Sequence, residues 1–168
     1  MAIIGNVVKR SLAGAVLGLA LASSGPTDAL ADDAHPFAQY VGFWQGSGRA
    51  ESVRGEQQAM SCSATCEEAE GGKALSQSIQ CSGARFRFQI ENYIVDKGGE
   101  VVGNWREQTQ QAIGNVTGHI QGTQFTGQIS APLFSASVWM KADARSQALR
   151  ILPKGVDVAK VEIVMKRQ

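Results

Sequence analysis

The sequence predicts an all-β domain, an antiparallel up-and-down β-barrel of eight to ten strands, and three observations carry that prediction. The first is a period-two alternation of apolar and polar residues, which marks strands with one dry and one wet face. The second is the recurrence of turn-forming residues at short intervals. The third is composition. There are 19 Gly and only 4 Pro in 168 residues, with 43% hydrophobic and 18% charged residues. That makeup suits strands and tight turns, and it is far from that of a disordered chain. The length leaves room for one ordinary domain and little else.

Residues 1–31 read as a secretory signal peptide rather than as part of the fold. Lys9 and Arg10 supply the positive start, and Leu12 to Ala22 is an uninterrupted run of small and apolar residues. The run is too short for a membrane anchor, which needs roughly 20 residues. Gly25-Pro26 breaks it, and Ala29-Leu30-Ala31 ends it with small residues that suit a leader peptidase. Cleavage is predicted between Ala31 and Asp32, leaving 32–168 as a single periplasmic or secreted β-barrel domain. No Cys lies near that point, which argues against a lipid anchor, and no later apolar run is long enough to span a membrane as a helix. Losing Lys9, Arg10 and Asp28 leaves acidic and basic residues in equal number. A neutral chain is poorly suited to phosphate backbones, so no nucleic-acid partner is predicted.

A short helical turn is expected around Pro36 to Tyr40, and strands from Val41 onward. Phe86, Phe88 and Ile90 alternate with Arg85, Arg87, Gln89 and Glu91. Phe134, Ala136, Val138 and Met140 alternate with Ser135, Ser137 and Lys141, and Val161, Ile163 and Met165 with Lys160, Glu162 and Lys166. Turn signals fall at Gly71-Gly72, Asp96 to Gly99, Gly122-Thr123, Ala142 to Ala144 and Pro153 to Gly155. Two of them fix a register. If Gly71-Gly72 is a two-residue loop, Cys62 faces Cys81 and Ala64 faces Ile79. If Gly122-Thr123 is one, Ile120 faces Phe125, Gly118 faces Gly127 and Val116 faces Ile129. Both registers sort apolar with apolar. Consecutive hairpins leave an edge problem that barrel closure removes, with Gly46, Gly48, Gly118 and Gly127 allowing the bends. A two-sheet sandwich is the alternative.

Three Cys in an exported chain leave one over. Direct opposition places Cys62 and Cys81 within disulfide range, at roughly 4.5–5.5 Å between Cα atoms. Cys62 and Cys66 on one strand would lie roughly 13 Å apart. A Cys62–Cys81 disulfide is therefore predicted, worth ~2–3 kcal/mol. Cys66 shares the inward face, either as a small buried apolar residue or as the site of an intermolecular disulfide or a reactive thiol.

Candidates for chemistry are few. His35 and His119 have no second His or Cys at metal-ligand spacing; His35 is expected to be mobile and His119 to face solvent. Glu67, Glu68 and Glu70 read as a solvated loop. No phosphate loop, dinucleotide fingerprint or nucleophile elbow is present, so no catalytic residue, metal or cofactor is predicted. More informative are Trp44, Phe86, Phe88, Ile90, Ile94, Val101, Trp105, Phe125 and Phe134, which fall on one face. In a small barrel such residues fill the interior or line a cavity. Phe86, Phe88, Trp105 and Phe125 are the candidate ligand-binding residues.

Gly42-Phe43-Trp44, opening the first strand, resembles the Gly-x-Trp start of the calycin barrels, the lipocalins, fatty-acid-binding proteins and avidins, and Gly103-Asn104-Trp105 repeats the spacing. The resemblance implies that Trp44 closes one end of a barrel. The chain departs from secreted lipocalins in lacking an evident later Arg partner and the Thr-Asp-Tyr loop, and it lacks avidin's full biotin-contacting set. It also resembles small exported Gram-negative proteins of unassigned function, through Gly103 to Glu107 and Gly114 to Gly118. A further resemblance is to small periplasmic metalloprotease inhibitors, whose mature N-terminal arm enters the protease; here that arm would be Asp32 to Pro36. The expectation is a non-enzymatic envelope protein binding an apolar or amphipathic small molecule. The alternative is a protein-binding role, as protease inhibitor or envelope structural factor.

Overall fold

A computed structural model describes residues 35–84 and 86–168. The expected signal peptide, its cleavage site, Asp32 to Ala34 and Arg85 lie outside the described residues. Ten strands follow one another: β1 (Gly42–Ser52), β2 (Gln57–Ala69), β3 (Ala74–Gly83), β4 (Arg87–Asp96), β5 (Glu100–Glu107), β6 (Ala112–Gln121), β7 (Gln124–Ala131), β8 (Phe134–Ala142), β9 (Ser146–Lys154) and β10 (Val158–Arg167). Each pairs antiparallel with its sequence neighbours, and β10 returns to pair with β1 from Trp44↔Arg167 to Ser52↔Val158. That last ladder closes the barrel and excludes the two-sheet sandwich.

Both predicted registers are present, with Cys62↔Cys81 and Ala64↔Ile79 in one hairpin and Ile120↔Phe125, Gly118↔Gly127 and Val116↔Ile129 in the other. The first connection is not the expected two-residue loop. Pairing stops at Ala69↔Ala74, and Glu70–Gly72 form a short 3-10 turn before Lys73. The register survives because the longer loop is centred on the same two glycines. Pro153 and Lys154, expected in a turn, belong to β9, whose ladder with β10 begins only at Ile151↔Val161. Pro153 has no N–H to extend that ladder.

Alternation along every strand sends one set of side chains inward. β1 and β10 approach so closely that a Cβ on Gly46 would fall 2.0 Å from the Val164 carbonyl oxygen; only glycine fits this closing seam.

The two ends of the barrel differ. At one, the base, the hairpins β2–β3, β4–β5, β6–β7 and β8–β9 gather around residues 35–41 and the C-terminus. Successive turns run from Pro36 to Tyr40, with Ala38 N–H donating to His35 O and Tyr40 N–H to Phe37 O. They place Phe37, Tyr40 and Trp44 in the base, where all three are fully buried. Trp44 Nε1 donates to Tyr40 O at 2.8 Å, and the Tyr40 hydroxyl donates to Thr123 O at 2.9 Å. Arg167 finishes the seal. Its guanidinium lies 4.3 Å from the centre of the Trp44 ring. It donates to Gln39 O and Ala144 O, both at 3.0 Å, and to Val41 O. Trp44 thus has a later Arg partner after all. The sequence reading missed it because Arg167 stands next to the last residue of the chain, without a motif around it.

Two stability predictions follow from these contacts. The Cys62–Cys81 disulfide joins β2 to β3 with a Cα separation of 4.2 Å. Replacing both by Ala should lower unfolding free energy by about 3 kcal/mol in urea titration. Arg167→Ala should cost about 2–4 kcal/mol, and Arg167→Lys a large part of that, because a lysine cannot stack on Trp44 and reach three carbonyls together.

Candidate functional site

At the opposite end, the mouth, some of the inward side chains lose part of their cover, while Met60, Trp105, Ala136 and Val161 stay buried. Phe86, Phe88, Ile90, Ile129, Phe134, Val138 and Ile151 are half-buried, whereas inward residues nearer the base such as Leu75, Ile94, Val101, Met140, Leu149 and Met165 are buried. The inner wall is therefore mostly apolar, and its partly exposed side chains lie towards one end.

The four predicted ligand-binding residues all point inward but do not form one cluster. Phe86 and Phe88 stand at the mouth with parallel rings, 6.2 Å between centroids. Trp105 is buried, its ring edge-on to Phe134 at 5.7 Å, and its Nε1 donates to Ser130 O at 3.3 Å. Phe125 lies deeper and apart from them. Its ring occupies the space over Gly118 and Gly127, within 2.7 Å of where a Cβ on either would sit. Phe134 was expected inward but not as a site residue; it joins Trp105 at the mouth.

Three loops at the mouth carry exposed apolar tips, Val53, Leu133 and Val156. They are neighbours: Val53 N–H donates to Asp157 O, and Gly155 packs against the Leu133 carbonyl. Together they form an apolar lip on one side of the opening.

Between mouth and base, polar side chains cross the interior. Asn92 Nδ2 donates to Gln77 Oε1 at 2.9 Å, and Gln77 Nε2 lies 3.2 Å from Cys66 Sγ and 3.9 Å from Met140 Sδ. From the other side, Gln147 Nε2 reaches Met140 Sδ at 3.4 Å. Gln77 and Gln147 are buried. β3 and β8 stand opposite each other in the ten-strand ring, so this chain of contacts spans the lumen and makes a floor. Asn92 Oδ1 and Gln147 Oε1 are buried without a hydrogen-bond partner, as is Gln58 Oε1 on β2. The sequence held a signal for these residues, namely a polar residue in a slot that the alternation assigns inward. Gln77 continues Cys81 and Ile79, and Gln147 continues Ile151 and Leu149.

Titratable groups are held by local partners. Burial pushes the Cys66 thiol up to about 11, against the opposing pull of the Gln77 amide and the Arg167 charge. Burial likewise pushes the Tyr40 phenol far above its ordinary value, offset in part by a hydrogen bond with the Phe125 backbone. At the mouth, burial works against the charged form of Glu107, but hydrogen bonds to Gln110, Thr109 and Gln89 outweigh it and hold the carboxyl below its ordinary value. His119 is exposed on the outer wall, as expected. His35, expected to be mobile, has partners at the base: its Nδ1 lies 3.3 Å from Glu68 Oε2, and its ring packs over Gly72. With Phe37 buried, His35 to Phe37 pack at the base. Among the described residues no group of three or more His, Cys, Asp or Glu is placed to hold a metal ion. No helix among them is long and apolar enough to cross a membrane. Shallow open grooves lie on the outer wall, one around Trp139 with Thr126, Gln128 and Arg150.

No family model matches the chain, and no curated protein does. Solved structures do share its architecture, which is that of a small closed antiparallel barrel. It is similar to Rv2717c from M. tuberculosis, with a TM-score of 0.63 at 14% identity over 83% of this chain and 99% of that one. It is similar to the S-type phycobiliprotein lyase CPES from Guillardia theta, with a TM-score of 0.55 at 13% identity over 79% of this chain and 89% of that one. A protein of unknown function from the DUF3598 family of Nostoc punctiforme matches with a TM-score of 0.54 at 14% identity, over 77% of this chain and 48% of its own. At such identities the likeness is one of fold alone.

The state of Cys66 gives a test of the interior. A thiol reagent at neutral pH should label one cysteine per chain only after unfolding. The thiol's ordinary value of 9.0 is raised to about 11 in the fold, so the folded state keeps its proton longer. Its stabilising contribution is complete below about pH 9 and is lost as pH rises towards 11. Cys66→Ala should remove that part of the alkaline loss in urea titrations run across this range.

Proposed function

We propose that this chain is an exported, non-enzymatic binding protein of the cell envelope whose lumen takes an apolar or amphipathic small molecule. The observation that carries this reading is the difference between the two barrel ends. The base is sealed by Phe37, Tyr40, Trp44 and Arg167, while the mouth leaves apolar inward side chains half-covered behind an apolar lip. Half-exposed apolar surface costs about 25 cal/mol per Å², and an apolar guest that covers it recovers that free energy. A concave, mostly apolar wall with a few polar groups is the usual setting for a small ligand.

Fold alone does not separate a carrier from a catalyst, since a phycobiliprotein lyase shares the architecture. What supports binding is the chemistry of the lumen: amides, thioethers, aliphatic and aromatic side chains, with Cys66 kept protonated. Export by cleavage between Ala31 and Asp32, into the periplasm or beyond, is part of the proposal; the Cys62–Cys81 disulfide supports an oxidising compartment. The docking of His35 to Phe37 at the base supports the lumen over an N-terminal arm as the binding element.

Titration with the apolar fluorophore N-phenylnaphthylamine tests this. Saturable fluorescence enhancement is expected, with Phe88→Asp weakening binding by about tenfold or more while the thermal melt stays cooperative. Absence of saturable binding, together with no extractable mass excess in native mass spectrometry of the protein from its own envelope, would overturn the reading.

A further inference from the structure

We infer that the floor of the lumen selects ligands whose head is an uncharged hydrogen-bond donor, a hydroxyl or a primary amide, entering first with the apolar tail left towards the mouth. The inference rests on the carrier reading above and deepens it. Its starting point is an imbalance of donors and acceptors. Asn92 spends an N–H donor on Gln77 Oε1, Gln77 spends its own on Cys66 Sγ and Met140 Sδ, and Gln147 spends one on Met140 Sδ. The oxygens Asn92 Oδ1 and Gln147 Oε1 receive nothing. Buried amide oxygens of this kind carry a penalty comparable to a lost hydrogen bond until a donor reaches them. Two such acceptors, approached from opposite sides of the barrel, define what would satisfy the floor: a group that brings hydrogens.

The charge of that group is set by what else lines the lumen. The inward positions of the strands carry no Lys, and their one Arg, Arg167, is committed to Trp44 and three backbone carbonyls on the far side of the plug. A carboxylate head would meet two amide oxygens and no cation. An ammonium head fares little better. Asp96 is tied to the Gly98 and Gly99 N–H groups, and Glu107 to the N–H groups of Gln89, Thr109 and Gln110 at the rim. Glu68 faces His35 at the base. An ion carried to the floor would lose its water without a counter-charge, whereas a neutral donor loses little. The distance suits a medium-length tail. Asn92 stands four residues along β4 from Phe88, roughly 13 Å of strand, comparable to an extended decyl chain.

The experiment is competition against bound N-phenylnaphthylamine by four probes with the same tail: decanol, decanamide, decanoate and decylammonium, at neutral pH. Decanol and decanamide should compete at least about tenfold better than either ion, a difference of 1.4 kcal/mol. Gln147→Met and Asn92→Leu, which keep volume and remove the acceptor, should each cut decanol affinity, taken relative to that of decanoate on the same variant, by about tenfold. If the fluorophore binds but the four probes compete equally, or the neutral preference survives both substitutions, the floor inference is overturned and the carrier reading stands. If neither fluorophore nor any probe binds, the carrier reading falls and the floor inference with it. Should either variant fail to melt cooperatively, the wild-type probe series decides alone.

Discussion

The ladder between β1 and β10 is the constraint on which everything else rests. Nine of the ten strand pairings join neighbours in sequence, and each could form as a local hairpin. The tenth joins the two ends of the domain, pairing Trp44 with Arg167. Until it forms there is no inside: the alternating faces of an open sheet have two sides but no lumen. Loop closure of that span is the largest single entropic cost in the topology. The seam is accordingly reinforced where it begins. Its first pair is also the cation–aromatic stack, and glycine at position 46 lets the two backbones come close enough to bond. Ladder, stack and base plug are one assembly.

That assembly explains the asymmetry of the barrel. At the base each polar atom brought in with an aromatic ring has a named partner in the backbone: Trp44 Nε1 with Tyr40 O, the Tyr40 hydroxyl with Thr123 O. The mouth has no comparable plug, so its aromatic pairs, Phe86 with Phe88 and Trp105 with Phe134, pack on each other, and all but the buried Trp105 remain in part wet. The amide floor marks the level where one regime gives way to the other. Above it several apolar inward side chains are half-covered; below it the inward side chains are buried.

Much of this was legible in the sequence. Period-two alternation gave strand direction and facing, and the glycine-centred turns gave two hairpin registers, from which the disulfide between Cys62 and Cys81 followed. The turn type at Gly71-Gly72 was not legible, because a longer loop with the same centre preserves every pairing. Nor was the partner of Trp44. Arg167 carries no motif, and only extension of the run Val161, Ile163, Met165 by one more step would have turned it inward. The same reasoning applies to Gln77, Asn92 and Gln147. Polar residues interrupting an apolar face read as noise in one strand; their meaning appears only when opposite walls of a closed barrel bring them together. Depth was also hidden. Phe125 and Phe88 look alike on paper, and their different heights in the barrel depend on strand stagger.

The location of the described chain ends has a practical and mechanical meaning. His35 packs at the base against Glu68, and Gln168 N–H donates to Phe43 O beside it. Both ends therefore leave from the sealed side, opposite the mouth. A tether at either end would hold the molecule like a cup by its foot, with the opening facing away from the point of attachment. Immobilisation through a terminal tag would leave guest entry unobstructed. Pulling on the two ends in opposite directions would load the β1–β10 seam at its Trp44–Arg167 end and unzip it pair by pair towards the mouth, so the barrel should open along this line before any hairpin gives way.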